Sequence, residues 1–197
     1  MSDDTGLSRR RFLSVATTVT GAVGAGFAAT PFIASWQPSA RARALGAPVE
    51  VDISKLEDGA LMKVTWRGKP VSILRRSSEM LKRMENSSVA LRDPESEEDQ
   101  QPNYARNEFR SIKPEVLVIV SNCTHLGCVP TSRFEVAPAD LGPDWVGGFF
   151  CPCHGSKFDL SGRVFAGVPA PTNLVVPPYR FADDNTLIIG EDAEVAA

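Results

Sequence analysis

Six residues carry nearly all the metal-binding potential of this chain. The 197 residues hold four cysteines and two histidines, and all six fall in two short boxes. The first reads Cys123-Thr124-His125-Leu126-Gly127-Cys128, the second Cys151-Pro152-Cys153-His154-Gly155-Ser156. Thiolate and neutral imidazole together suit iron–sulfur clusters, zinc and copper. In each box a cysteine is followed closely by a histidine, so each loop could supply one thiolate and one imidazole to a shared site. A structural zinc site with two cysteines and two histidines is the plain alternative. Zinc fingers, however, usually pair like with like, two cysteines and then two histidines. Here the types alternate and two further cysteines flank them.

The boxes CTHLGC and CPCHGS resemble those of Rieske iron–sulfur proteins, in particular those of quinol–cytochrome c oxidoreductases. The resemblance implies one 2Fe-2S cluster, with Cys123 and Cys151 on one iron and His125 and His154 on the other. It implies a disulfide between Cys128 and Cys153 that ties the two loops together. It places Ser156 as a hydroxyl donor to a bridging sulfide, and Gly155 in the turn beside it. Pro169 lies in a covering loop, Gly167-Val168-Pro169-Ala170-Pro171. His154 becomes the quinol contact and redox-linked proton acceptor, with His125 its companion at the tip. Leu126 is either an apolar contact for a cytochrome b subunit or simple loop packing. One position departs from the family pattern: many relatives have Tyr two residues after the serine, where this chain has Phe158.

Charge counting explains why such a ligand set suits quinol chemistry. Two ferric ions, two sulfides and two thiolates sum to zero when both imidazoles are neutral. Adding an electron therefore costs less than in an all-thiolate cluster, and potentials rise from about −400 mV toward roughly −150 to +300 mV. The imidazoles also titrate as a coupled pair whose basicity follows the oxidation level.

The elements that must position these boxes follow from the rest of the chain. Ser8-Arg9-Arg10-Arg11-Phe12-Leu13 looks like a twin-arginine export signal. No charged residue occurs from Phe12 to Trp36. That run of about 25 residues makes roughly 37 Å of helix, enough to cross a bilayer. Segment 1–11 is expected to stay cytoplasmic by the positive-inside tendency, 12–36 to be a transmembrane anchor in contact with lipid, and 37–48 to be a flexible hinge. The A-x-A patterns of Ala40, Ala42 and Ala44 would also suit cleavage, but the apolar stretch exceeds a usual signal core and reads as retained. Residues 49–197 form a periplasmic head, with a cluster-binding subdomain at about 119–172.

Short runs with Gly/Pro turns mark the head as all-β, an antiparallel Rieske domain with the cluster on two loops. Strands are expected at Val49 to Ile53, Leu61 to Trp66, Val71 to Leu74, Val116 to Val120, Val146 to Phe150, Arg163 to Phe165, Leu174 to Val176, Tyr179 to Phe181 and Thr186 to Ile189. A capped helix is expected from Ser77 to Met84. Asp93 to Asn107 reads as a solvated acidic insertion. The first 48 residues hold five of the 21 basic and two of the 24 acidic residues, so the head carries 16 against 22, net −6. That argues against a nucleic-acid partner.

The function implied is the iron–sulfur electron-transfer subunit of a quinol–cytochrome c reductase in a bacterial inner membrane, enzymatic as part of that complex. Its expected partners are a cytochrome b subunit, a cytochrome c-type subunit and ubiquinol, in a dimeric complex. The competing reading is the small Rieske subunit of a periplasmic molybdenum oxidase such as arsenite oxidase. The CTHLGC form, the anchor and the hinge favour the quinol complex. A Rieske oxygenase or soluble ferredoxin lacks the extra cysteine pair and the export segment.

Overall fold

A computed structural model describes residues 4–192, with side chains from residue 8 onward. The chain divides into two compact units after Ala44.

The first unit is dominated by helix α1 (Asp4–Ala34). Ser8–Ala34 is long and apolar enough to cross a membrane. Its hydroxyl residues suit that setting. Ser14, Thr17, Thr18 and Thr30 each donate to the carbonyl four residues earlier, at 2.8 to 2.9 Å. A hydroxyl satisfied on its own helix costs little in lipid. The stretch read as a linker contains a short helix, α2 (Ala40–Gly46). It lacks apolar periodicity, but Ser39 Oγ accepts from Ala42 N at 3.1 Å and so caps an alanine- and arginine-rich turn of high helix propensity.

The second unit is the head. Its elements run in chain order as β1 (Val49–Asp52), β2 (Leu61–Trp66), β3 (Lys69–Arg75), helix α3 (Ser78–Glu85), β4 (Val116–Val120), β5 (Thr131–Arg133), β6 (Gly148–Cys151), β7 (Ser156–Phe158), β8 (Tyr179–Phe181) and β9 (Thr186–Ile189). They form three antiparallel sheets of three strands, ordered β1-β9-β8, β2-β3-β4 and β5-β6-β7. The antiparallel all-β architecture expected for the head is thus present. The buried core runs through all three sheets, from Val51 and Ile189 through Ile73 and Val118 to Phe149 and Phe158. β4 is apolar throughout and buried at every residue, and it feeds the first box directly. Ser77 caps α3, its hydroxyl accepting from Met80 N at 3.2 Å.

The structure departs from the sequence reading elsewhere in the head. Arg163–Phe165 is no strand; only isolated bridges, Phe158 to Val164 and Leu91 to Phe165, occur there. Leu174–Val176 is extended but joins no ladder. Its backbone bonds go to three different places: Leu174 N to Gly162 O, Val176 N to Gln100 O, and Val175 O from Val120 N. Residues 93–107 are not a free insertion. Glu95, Glu97, Glu98 and Asp99 are exposed, yet Ser96, Gln101 and Ala105 are buried. Asp93 explains the difference. Its carboxylate accepts from Glu97 N at 2.8 Å and Glu98 N at 3.3 Å, and its carbonyl accepts from Asn173 Nδ2 at 3.0 Å.

Candidate metal centre

The two boxes are built on the same device. In the first, β4 ends at Val120 and Cys123 follows three residues on. Gly127 N donates back to Cys123 O at 2.8 Å, and Cys123 N donates to Cys128 O at 2.7 Å. In the second, Cys151 ends β6 and Ser156 opens β7, so the two residues face each other across the hairpin. Gly155 N donates to Cys151 O at 2.9 Å. Gly127 and Gly155 both adopt the left-handed region, with φ 82° and 77°, which a side chain disfavours. Each loop therefore turns sharply four residues after its leading cysteine.

This geometry sorts the cysteines. Cys128 and Cys153 are joined as a disulfide across a separation of 25 residues. Cys123 and Cys151 are free and buried, 3% and 1% exposed. The sulfurs of Cys128, Cys151 and Cys153 lie within 4.8 Å of one another, but two of the three are consumed in the disulfide. Only Cys151 among them keeps a thiol to offer. The His125 and His154 rings stand 4.7 Å apart, centre to centre, at 88°. His154 is exposed and His125 half-buried. Leu126 is 72% exposed, so it does not serve loop packing.

Burial pushes the Cys151 thiol up, opposed by the backbone amides of Cys153 and His154, which bond to the sulfur. A thiol so placed resists ionisation unless a cation takes the proton's place.

A third segment closes the site. Ala170 N donates to Ser156 Oγ at 3.1 Å, and Thr124 Oγ1 donates to Thr172 O at 2.7 Å. Pro169 itself is exposed; the loop touches the boxes through Ala170, within the expected covering loop, and through Thr172, just beyond it, which sequence reasoning passed over. Backbone contacts of this kind leave no trace in side-chain type. Ser156 is fully buried, and its oxygen is an acceptor in this bond, so the hydroxyl proton is free for another acceptor. Phe158 is also fully buried and faces Phe149 across the hairpin.

The donor set fits a Rieske-type cluster. Two free buried thiols and two adjacent imidazoles are present, a hydroxyl donor lies beside them, and the remaining cysteines are removed by bonding to each other. A zinc site would use the four ligands equally well, but it gives no reason for a buried hydroxyl with an uncommitted proton.

Replacing Phe158 with Tyr adds a donor where many relatives of the resembled family carry one. If that bond favours the reduced state by about 1.4 kcal/mol, the midpoint rises by roughly 59 mV for one electron. Protein-film voltammetry checks this; an unchanged midpoint in a folded Phe158→Tyr variant counts against it.

Comparison with known proteins agrees with the geometry. Residues 48–180 match the model of the Rieske [2Fe-2S] domain, and residues 1–39 match that of the ubiquitinol-cytochrome C reductase Fe-S subunit TAT signal. A ubiquinol-cytochrome c reductase iron-sulfur subunit of Allochromatium vinosum is 62% identical over 184 residues, 93% of this chain and 89% of that protein. Proteins of the same name from Blastochloris viridis and Bradyrhizobium diazoefficiens are 45% and 44% identical, covering 96% and 93% of this chain and 96% and 94% of their own lengths. The likeness runs from the export signal through both boxes, and the chain belongs to the Rieske iron–sulfur subunits of ubiquinol–cytochrome c reductases.

Proposed function

We propose that Cys123, Cys151, His125 and His154 are the ligands through which this chain carries electrons from ubiquinol to a cytochrome c-type subunit. The observation that carries the assignment is the sorting of the cysteines: the Cys128–Cys153 bond leaves one free thiol per loop beside two neighbouring imidazoles. When bound, the 2Fe-2S cluster supplies a one-electron carrier near the potential of a quinol. The protein supplies the rest. The two buried thiols exclude water from one side of the site. With the cluster bound, the Ser156 hydroxyl would donate to it and so favour added negative charge. His154 is the more exposed ring. It would meet the quinol through the ring nitrogen left free of metal, which in its deprotonated state can accept the quinol's hydrogen bond and then its proton. His125 stands beside it as the coupled partner. Leu126, exposed at the same tip, docks against the cytochrome b subunit.

Localisation follows from the anchor. Helix α1 holds the chain in the bacterial inner membrane, with the arginines at its start on the cytoplasmic side and the head in the periplasm. The segment 37–48 acts as the hinge by which the head moves between cytochrome b and the c-type cytochrome in a dimeric complex. An oxidising periplasm suits the disulfide.

The test is electron paramagnetic resonance of dithionite-reduced membranes, with and without a quinone-site inhibitor. The expected result is a Rieske signal that shifts when the inhibitor is added. A signal indifferent to inhibitor would separate the cluster from the quinol site.

A further inference from the structure

Two of the most deeply buried side chains in the head are arginines. Arg76 is 1% exposed and Arg110 fully buried. Among the described residues, neither guanidinium is paired with a carboxylate. Arg76 donates to Phe109 O at 2.9 Å, Leu160 O at 3.4 Å, Ser161 Oγ at 3.0 Å and Ser111 Oγ at 2.7 Å. Arg110 donates to Ser161 O at 3.2 Å, Gly162 O at 3.4 Å and Gln101 Oε1 at 2.8 Å. All these acceptors are neutral, and each arginine leaves its Nε without a partner. Arg110 also takes φ 50°, a strained conformation for a side chain of its size. The nearby carboxylate, Asp159, is taken by Arg163 at 2.7 Å. Burial lowers both arginines to about 10, so both remain charged at neutral pH.

Burying a charge without a counter-ion is costly. What the two cations hold is the turn from Leu160 to Gly162, which follows directly on β7 and so ends the hairpin that bears the second box. Asp159 completes the turn: its carboxylate accepts from Ser161 N and Arg163 N, each at 2.8 Å. Three cations thus surround one carboxylate in the interior below the cluster hairpin.

We infer that Arg76 and Arg110 form a buried cationic floor that clamps this turn and holds the cluster's reduction potential up. The inference rests on the cluster assignment proposed above. Reduction adds one negative charge to the site, and a fixed positive charge in a poorly screened interior favours it. Ser161 is about five residues beyond Ser156, so roughly 18 Å of chain at most separates them. At about 20 Å and an effective dielectric near 20, one charge is worth about fourfold in the ratio of reduced to oxidised cluster, or about 35 mV.

The test is a redox titration followed by paramagnetic resonance, in membranes holding the whole complex. Arg76→Met and Arg110→Met should each lower the midpoint by about fourfold in that ratio. Arg76→Lys should keep it near the parent value. Asp159→Asn removes a negative charge from the same place and should raise it. Opposite signs are the signature of the field; a loosened turn would move all variants the same way. Shifts of one sign, or none, overturn the inference. If Arg76→Met fails to accumulate, Arg163→Gln and Asp159→Asn decide the sign. A parent protein without a Rieske signal would strike the cluster assignment instead.

Discussion

Replacing Cys128 and Cys153 together with serine abolishes the cluster signal and destabilises the tip of the head by about 3 to 4 kcal/mol. The magnitude follows from a cross-link closing a loop of 25 residues, taken with the chain-entropy cost of such a loop in the unfolded state. The functional loss follows from geometry. Each box is closed on itself, by Gly127 N to Cys123 O and by Gly155 N to Cys151 O. Between the boxes the disulfide is the covalent tie. Without it they are linked through the covering loop, where Thr124 reaches Thr172 and Ala170 reaches Ser156. Two loops free to part cannot keep the His125 and His154 rings 4.7 Å apart. The base sheet β2-β3-β4 does not depend on the tip, so circular dichroism should retain its β signal while iron, sulfide and the resonance signal are lost. Full cluster occupancy with an unchanged melting temperature in the double variant would falsify this account.

The two boxes were legible because their residue types are scarce: four cysteines and two histidines in 197 residues leave few ways to assemble a site. The strands of the head were legible where the chain is uniformly apolar, as in Val116–Val120, or alternates, as in Val49–Asp52. Strands β5 and β7 were not, because Thr131-Ser132-Arg133 has no apolar residue and Ser156-Lys157-Phe158 only one, whereas the equally short Tyr179-Arg180-Phe181 alternates. Arg76 and Arg110 were invisible for a different reason. An arginine reads as surface, and what receives these two is a set of backbone carbonyls contributed by segments 33 to 84 residues away in sequence. Residues 93–107 misled in the same way. Glu95, Glu97, Glu98 and Asp99 do face solvent, but the backbone beneath them is anchored by Asp93 and Asn173, a pairing that composition cannot disclose. The head's hydrogen-bonded floor is therefore tertiary information, while its ligand chemistry is local.

Gly148→Ala should cost the head more than about 3 kcal/mol and prevent the second box from forming, whereas Gly155→Ala should cost about 1 kcal/mol and leave a cluster. The two glycines fail for different reasons. A methyl at Gly155 meets nothing within 4 Å; its penalty is the left-handed backbone alone, φ 77°. A methyl at Gly148 would stand 2.1 Å from Phe158 O, 3.0 Å from Asp159 Cα and 3.1 Å from Asp159 C. Every one of these is backbone, so no rotamer change relieves the clash. Relief requires β6 and β7 to part, and those strands set Cys151 opposite Ser156. The same displacement would pull Asp159 off the turn that Arg76 and Arg110 hold. Thermal unfolding and iron content of the two variants, measured in parallel, distinguish the cases. A Gly148→Ala protein with parental melting and full iron would show that the hairpin can open there without disturbing the ligands. Because the clash lies three residues before Cys151, that result would also break the link between the packing of the hairpin and the placement of its thiol.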